Sequence, residues 1–274
     1  MSLRNALQIA SATDVGRLRD HNEDSIGVDA DLGLAVLADG MGGYSAGEIA
    51  SGIAVAMLMS DLRAALARND PQLATRNGHD PAGVALLREG IDRANATILG
   101  AAESQSQYAG MGTTLVTALF HDDRVAVGHV GDSRLYRLRG DVFEQITRDH
   151  SLLQEQLDRG LLTREQARRS QNKNLVTRAL GIDPRVAAEI HVHGVMPGDI
   201  YLMCSDGLSD MVADEDMHIA LSSLRERLQL AADHLVRIAN DRGGRDNISV
   251  VLVRVLQPFP ASVGFFAKIK SWLK

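Results

Sequence analysis

Four aspartates, Asp39, Asp132, Asp206 and Asp246, each stand beside a glycine or an asparagine at a predicted strand end. Strand ends from packed sheets can converge on one edge, and carboxylates brought together there repel one another unless cations neutralise them. A donor set made only of oxygen suits a hard octahedral ion, Mg2+ or Mn2+, rather than zinc. Two such ions a few ångströms apart activate a water and clamp a phosphoryl oxygen, with no covalent intermediate required. The neighbouring polar residues fit the same chemistry. Glu23 and Asp24 can hold waters of such ions, and the guanidinium of Arg19 offers a fork for a phosphate.

The elements that must position these groups are legible from periodicity and turn chemistry. The stretch Ala35 to Tyr44, AVLADGMGGY, is the centre of the pattern. Its apolar run, Leu32 to Ala38, reads as a strand buried on both faces that stops at Asp39. Gly40, Gly42 and Gly43 follow, and residues without a Cβ that tolerate positive φ let the backbone turn sharply, bringing its carbonyls close to whatever Asp39 holds. A plain hairpin turn is the other reading of Asp-Gly after a strand. Further strands are predicted at Gln8 to Asp14, Ser25 to Val28, Thr113 to Phe120, Arg124 to Val130, Ser133 to Arg139, Val142 to Thr147, Val186 to His193, Ile200 to Cys204 and Ile248 to Leu256. Helical spacing of apolar residues predicts helices at Ala46 to Arg68, Ala82 to Ala102, Asp214 to Leu221 and Leu228 to Asn240. The turns between Thr113 and Thr147 are too short for anything but antiparallel neighbours, so two packed sheets with helices outside are expected. From His150 to Asn174 the chain is charged, with a short amphipathic piece at Ser151 to Arg159 and a capping box at Thr163 to Gln166; it reads as a flap over a surface.

Composition bounds the function. At 274 residues, 45% hydrophobic and 23% charged, the chain can bury a large core as a globular protein. A net charge of -6 argues against nucleic acid as the main partner. Cys204 is the single cysteine, so no internal disulfide forms, and no apolar run approaches the ~18 residues of a membrane span. The start lacks a signal-peptide pattern, and a cytoplasmic location is expected. A cysteine phosphatase needs an arginine six residues after its nucleophile, where this chain has Asp210 after Cys204; Cys204 reads as a small buried strand residue. No G-x-x-x-x-G-K-[ST] loop is present, which leaves a nucleotide-driven motor of that class unsupported. His191 and His193 share one strand face but show no third ligand nearby in sequence. His150, beside Asp149, either assists chemistry or caps a helix at the start of the flap.

Taken in order, the motifs are Arg19-x-x-Asn22-Glu23-Asp24, Ala38-Asp39-Gly40-Met41-Gly42-Gly43, Gly110-Met111-Gly112-Thr113-Thr114, Gly131-Asp132-Ser133-Arg134, Ser205-Asp206-Gly207-Leu208 and Arg245-Asp246-Asn247. This series, from about Ala12 to about Val255, resembles the bacterial metal-dependent Ser/Thr protein phosphatases of type 2C, the PPM family. The resemblance implies an α+β fold, a four-layer α-β-β-α sandwich of two antiparallel sheets with helices on both outer faces. It implies a binuclear Mn2+ or Mg2+ centre in which Asp39 bridges both ions, the Gly40 carbonyl binds one, and Asp206 and Asp246 bind the other. Asp132, with Asp206, would hold a third and weaker ion, approached by Asn174 at the end of the flap, and Arg19 would hold the substrate phosphate. The implied activity is hydrolysis of phosphoserine and phosphothreonine on proteins, reversing a cognate Ser/Thr kinase, by a monomer whose catalytic domain spans residues 1–257 with a flap at about 150–175. A non-catalytic phosphoprotein-binding regulator on the same scaffold is the rival of another class; loss of a metal aspartate would favour it, and none is lost.

Two features depart from the family pattern. In many bacterial members the residue after Asp-Gly-Met-Gly-Gly is a histidine thought to protonate the leaving oxygen, and here it is Tyr44. Tyrosine, with a reference pKa of about 10, is a poorer general acid at neutral pH, unless water or another side chain supplies the proton. Alkoxide leaving groups need that proton most. The expected result is ordinary turnover of p-nitrophenyl phosphate, slow turnover of phosphoserine peptides, and selective improvement of the peptides by Tyr44→His. An equal change in kcat on both substrates, or none, counts against the role. The second feature is the tail, residues 258–274, where Phe265, Phe266, Ile269, Trp272 and Leu273 recur at helical spacing among Lys268, Lys270 and Lys274. It is expected to form a basic amphipathic helix that either packs on its own domain or docks to a partner or an anionic membrane.

Overall fold

Strand β3 (Leu34–Met41) shows why the chain layers as it does, because both of its faces are apolar. Leu34, Val36 and Ala38 pack toward helices, while Ala35 and Leu37, on the alternate face, pack toward a second sheet. The structure is a computed structural model and describes residues 2–43, 46–67, 82–163, 166 and 175–259. Tyr44, Asn174 and the tail from Pro260 onward lie outside the described residues.

The other strands are β1 (Leu7–Asp14), β2 (Asp24–Asp29), β4 (Gly112–Thr113), β5 (Leu115–His121), β6 (Arg124–Val130), β7 (Arg134–Arg139), β8 (Val142–Gln145), β9 (Glu189–Gly194), β10 (Ile200–Cys204) and β11 (Ile248–Val255). One sheet has the order β1-β11-β10-β7-β8 and the other β2-β3-β5-β6-β9, with β4 beside β3. Every strand pair is antiparallel. The helices are α1 (Ala46–Ala67), α2 (Ala82–Ser104), α3 (Leu152–Asp158), α4 (Asp206–Ser209), α5 (Asp214–Ser223) and α6 (Leu228–Asp241).

Three apolar cores separate four layers. The inter-sheet core interleaves Leu37, Val116 and Phe120 of one sheet with Tyr201, Met203 and Val251 of the other, and the rings of Phe120 and Tyr201 meet edge to face at 5.3 Å. Helices α1 and α2 cover one outer face, and α5 and α6 cover the other. In α6 the buried Leu228, Ala231, Ala232, Leu235 and Ala239 recur at the 3.6-residue period, each buried leucine contributing roughly 1.5–3 kcal/mol. The expected four-layer α+β sandwich is therefore the observed one. The expected capping box is present too: Gln166 N–H donates to Thr163 Oγ1 at 3.2 Å, and Thr163 N–H donates to Gln166 Oε1 at 2.8 Å.

Candidate metal centre and active site

Register explains how distant aspartates meet. Asp24, the first residue of β2, lies directly opposite Asp39 in β3, so the sheet β2-β3-β5-β6-β9 delivers two carboxylates to one end. The other sheet delivers three to the same end. Cys204 of β10 faces Arg134 of β7 on one side and Val250 of β11 on the other, which aligns Asp206 just past β10, Asp132 just before β7 and Asp246 just before β11. The strand carrying Asp39 was expected to stop there, but it runs on to Met41, because Gly40 and Met41 pair with Thr113 and Gly112 of β4.

Glycine serves this site by close approach more than by turning. A Cβ on Gly40 would lie 2.1 Å from the Gly47 carbonyl oxygen and 2.7 Å from that of Glu23, and one on Gly207 would lie 2.0 Å from the Asn247 oxygen. Helix α1 and the Glu23 segment can therefore close on β3, and the Asn247 loop on α4. The sharp turn by positive φ expected of Gly40 and Gly43 is absent, since neither has it.

Polar side chains then fix the segments around the carboxylates. Asn247 accepts from Glu23 N–H at 2.8 Å and donates to the carbonyls of Val15 and His21, both at 2.9 Å. Asp39 N–H donates to Thr114 Oγ1 at 3.1 Å, and the Asp39 carbonyl accepts from Thr113 Oγ1 and from Thr114 N–H, both at 2.9 Å. Ser205 Oγ donates to Asp24 Oδ2 at 2.9 Å. In the sequence Thr113, Thr114, Ser205 and Asn247 show only as letters of motifs; in the structure they hold the loops that carry the acids.

The electrostatics are those of acids without enough donors. Burial raises the Asp39 and Asp206 carboxyls well above the usual carboxylate range, and the neighbouring acids raise both further. Asp24 and Asp132 are pushed to about 6, chiefly by burial. Burial also raises Glu23. Asp24 Oδ1 and Asp206 Oδ1 are buried with no hydrogen-bond partner. A buried carboxylate oxygen without a donor is costly unless a cation takes that place, so this donor set fits hard divalent ions. Arg19, half exposed, reaches in and donates to Asp246 Oδ2 at 2.8 Å.

A cavity of 760 Å³ extends from Asp132 and Asp206 between α3 and the start of α5, with Arg134, Asp149 and Asp214 in its wall. Arg134 donates to both oxygens of Asp149, at 2.6 to 3.0 Å, and to Tyr136 Oη at 3.0 Å. Removing one partner of such a half-sequestered pair leaves the other charge uncompensated. Arg134→Ala is expected to cost about 3–5 kcal/mol and to lower Tm by about 10 °C in thermal unfolding. A shift below about 2 °C would show that water already screens the pair.

His150 neither caps a helix nor faces the aspartates. Ser151 is the cap, its Oγ accepting from Gln154 N–H, while His150 Nδ1 accepts from Gly131 N–H at 3.1 Å. His191 lies beside a carboxylate that the sequence reading did not pair with it, Glu189, at 3.7 Å.

With this geometry in place, the similarities to known proteins are specific. Residues 17–240 match the family described as Protein phosphatase 2C. The chain is 40% identical over 244 residues to a serine/threonine phosphatase, stp, of Listeria innocua, covering 88% of this chain and 93% of that one. The crystal structure of the Mycobacterium tuberculosis serine/threonine phosphatase PstP/Ppp superposes with a TM-score of 0.82 at 35% identity, over 92% of this chain and 100% of that one. A structure of the catalytic domain of PstP in complex with 2 manganese ions superposes with a TM-score of 0.79 at 36% identity, over 92% and 99% of the two chains. An unbroken motif series, a shared four-layer fold and these likenesses along nearly the whole chain have one reading: the chain belongs to the protein phosphatase 2C family.

Proposed function

We propose that the converged aspartates hold two Mn2+ or Mg2+ ions with which this protein-serine/threonine phosphatase hydrolyses phosphoserine and phosphothreonine in proteins. The observation that carries this reading is the pair of buried, unpartnered oxygens on Asp24 and Asp206 inside a group of mutually repelling acids. The manganese-bound PstP neighbour supports it. In this reading Asp39 and the Gly40 carbonyl, Asp206 and Asp246 are the ligands, Asp132 with Asp206 holds a third ion, and Glu23 and Asp24 hold waters from behind.

When bound, the ions would neutralise the carboxylates, acidify a water and polarise the phosphoryl oxygens. The chain's own residues do the rest. Thr113, Thr114 and Asn247 fix the acids in place before substrate arrives. Arg19, already anchored on Asp246, turns its remaining N–H groups to the phosphate and orients it. Tyr44 is proposed to donate to the leaving oxygen and Asn174 to approach the third ion. The partners are phosphorylated proteins and a cognate Ser/Thr kinase whose work a cytoplasmic monomer reverses; the acidic charge and the lone buried Cys204 support an intracellular setting. Among the described residues no helix is long and apolar enough to cross a membrane. The tail, residues 258–274, is proposed either to pack on its own domain or to dock to a partner or an anionic membrane. The non-catalytic alternative is not favoured, since every aspartate of the set is present.

Phosphate release from a phosphothreonine peptide should require Mn2+ or Mg2+ and stop in excess chelator; full turnover in chelator would refute the reading. Arg19→Ala should lower kcat/KM by ~10- to 100-fold, the worth of a charged hydrogen bond to phosphate, with the metal requirement intact. An unchanged kcat/KM would remove Arg19 from substrate binding.

A further inference from the structure

We propose that His129, His150 and Glu189 form a second cation site, separate from the aspartates, that takes a nitrogen-seeking transition ion such as Zn2+ and whose filling inhibits the enzyme. Among the described residues this is the one place where three His, Cys, Asp or Glu side chains bring donor atoms within 4.8 Å of one another. His129 on β6 lies directly opposite Glu189 on β9, and the His150 ring stacks on that of His129 with centroids 4.4 Å apart. His150 Nε2 stands 3.2 Å from Glu189 Oε1, while the exposed His191 touches only the other oxygen of Glu189, Oε2, at 3.7 Å.

The donor chemistry separates this site from the aspartate centre. Two imidazoles and a carboxylate suit zinc and its neighbours, whereas an all-oxygen set suits Mg2+ and Mn2+. Burial lowers both imidazoles, His150 to about 4, so both rings are neutral at neutral pH and an ion at His150 Nε2 needs only a shift of its one ring proton to Nδ1. His129 Nε2 is held on the Arg148 carbonyl at 2.7 Å, the kind of backbone contact that orients a ligating imidazole and leaves its other nitrogen a lone pair.

A cation already stands at the rim. Arg178 Nη1 lies 3.2 Å from His150 Nε2 and 3.5 Å from Glu189 Oε1 on a side chain exposed enough to swing away, so an incoming ion competes with a guanidinium. The consequence for activity follows from the His150 tautomer. Its Nδ1 accepts from Gly131 N–H, and an imidazole bound to an ion through Nε2 carries its proton on Nδ1 and cannot accept there. Ion binding and the Gly131 hydrogen bond are mutually exclusive. Gly131 precedes Asp132, and the His150 backbone bonds both Gly131 and Thr177, on the far side of the flap. Filling the site therefore loosens the turn that presents Asp132 and the base of the flap together.

The test uses the full chain saturated with Mn2+, titrated with Co2+ while its d–d absorption is followed, and with Zn2+ while phosphate release is followed. One Co2+ should bind with the spectrum of a nitrogen and oxygen ligand set, and Zn2+ should inhibit. Glu189→Gln and His129→Gln should each weaken Co2+ binding and Zn2+ inhibition by ~10-fold or more, and Arg178→Ala should strengthen both. Absence of a bound Co2+ beyond the Mn2+, or equal binding and inhibition in wild type and Glu189→Gln, would overturn the proposal by assigning the ion to the aspartates. The absorption readout decides the matter even if the catalytic reading fails.

Discussion

Asp39→Asn is expected to abolish metal-dependent phosphate release, lowering it at least ~100-fold, while leaving the metal-free protein folded and no less stable than wild type. Altering a group that merely orients a ligand costs 10- to 100-fold in affinity or activity, so loss of a ligand's charge and one oxygen should cost more. The stability half follows from register. Asp39 lies opposite Asp24, and the pair is buried near Asp206, Asp132 and Asp246, all of which raise its carboxyl. Without cations the asparagine removes repulsion and keeps the shape, and the bonds of Thr113 and Thr114 to this residue go to its backbone. Asp246→Asn should abolish turnover likewise. Circular dichroism and thermal unfolding in chelator, beside turnover in Mn2+, check both halves. Wild-type turnover by both variants would remove the aspartates from the chemistry, and an unfolded Asp39→Asn would show that the carboxylate supports the fold.

The stabilisation by Mn2+ should grow with pH between about 4 and 7. Asp24 and Asp132, each raised from an ordinary 3.8 to about 6, bind more protons folded than unfolded within that window. Their contribution is fully present below about 4 and is lost as pH rises through about 6, at about 3 kcal/mol for one such group. Ions that neutralise the carboxylates restore it. His129 and His150, with lowered pKa values, act in the opposite sense: their burial costs stability as pH falls below 6.5, in metal-free and Mn2+-bound protein alike. The informative quantity is therefore the rise in Tm on adding Mn2+, which cancels the histidines. It should be larger at pH 7 than at pH 5 by several degrees, at roughly 2–4 °C per kcal/mol. An equal rise at both pH values would mean that the ions do not act on these acids.

Much of this was legible because the pattern is local. β6 and β10 begin and end where alternation and short turns predict, and α1, α2, α5 and α6 follow their apolar stripes to within two or three residues. Asp132, Asp206 and Asp246 stand just outside strands as their neighbouring glycine or asparagine predicts, whereas Asp39 lies within β3. What escaped depends on register between distant segments. Nothing near Asp39 announces that Gly40 and Met41 go on to pair with β4, more than seventy residues away. Gly40 looks like a turn glycine in sequence; only the Gly47 carbonyl, where its Cβ would sit, shows that it is needed for closeness. His191 and His193 lie on an exposed to half-buried strand, β9, as expected, but the neighbours of Glu189 are hidden in sequence for the same reason. His191 and His193 have no third ligand along the chain, and the partners of Glu189 arrive from β6 across the sheet and from His150 at the base of the flap. Helix α4 escaped because four residues are too few for a helical period to register.

The most direct test of the central claim is the count of Mn2+ ions bound by the purified chain, by calorimetry or electron paramagnetic resonance after exhaustive chelation. Buried carboxylates with unpartnered oxygens on Asp24 and Asp206 predict at least two bound Mn2+ in the wild type, and at least one fewer in Asp39→Asn. No bound Mn2+, or the same number in both proteins, would contradict it.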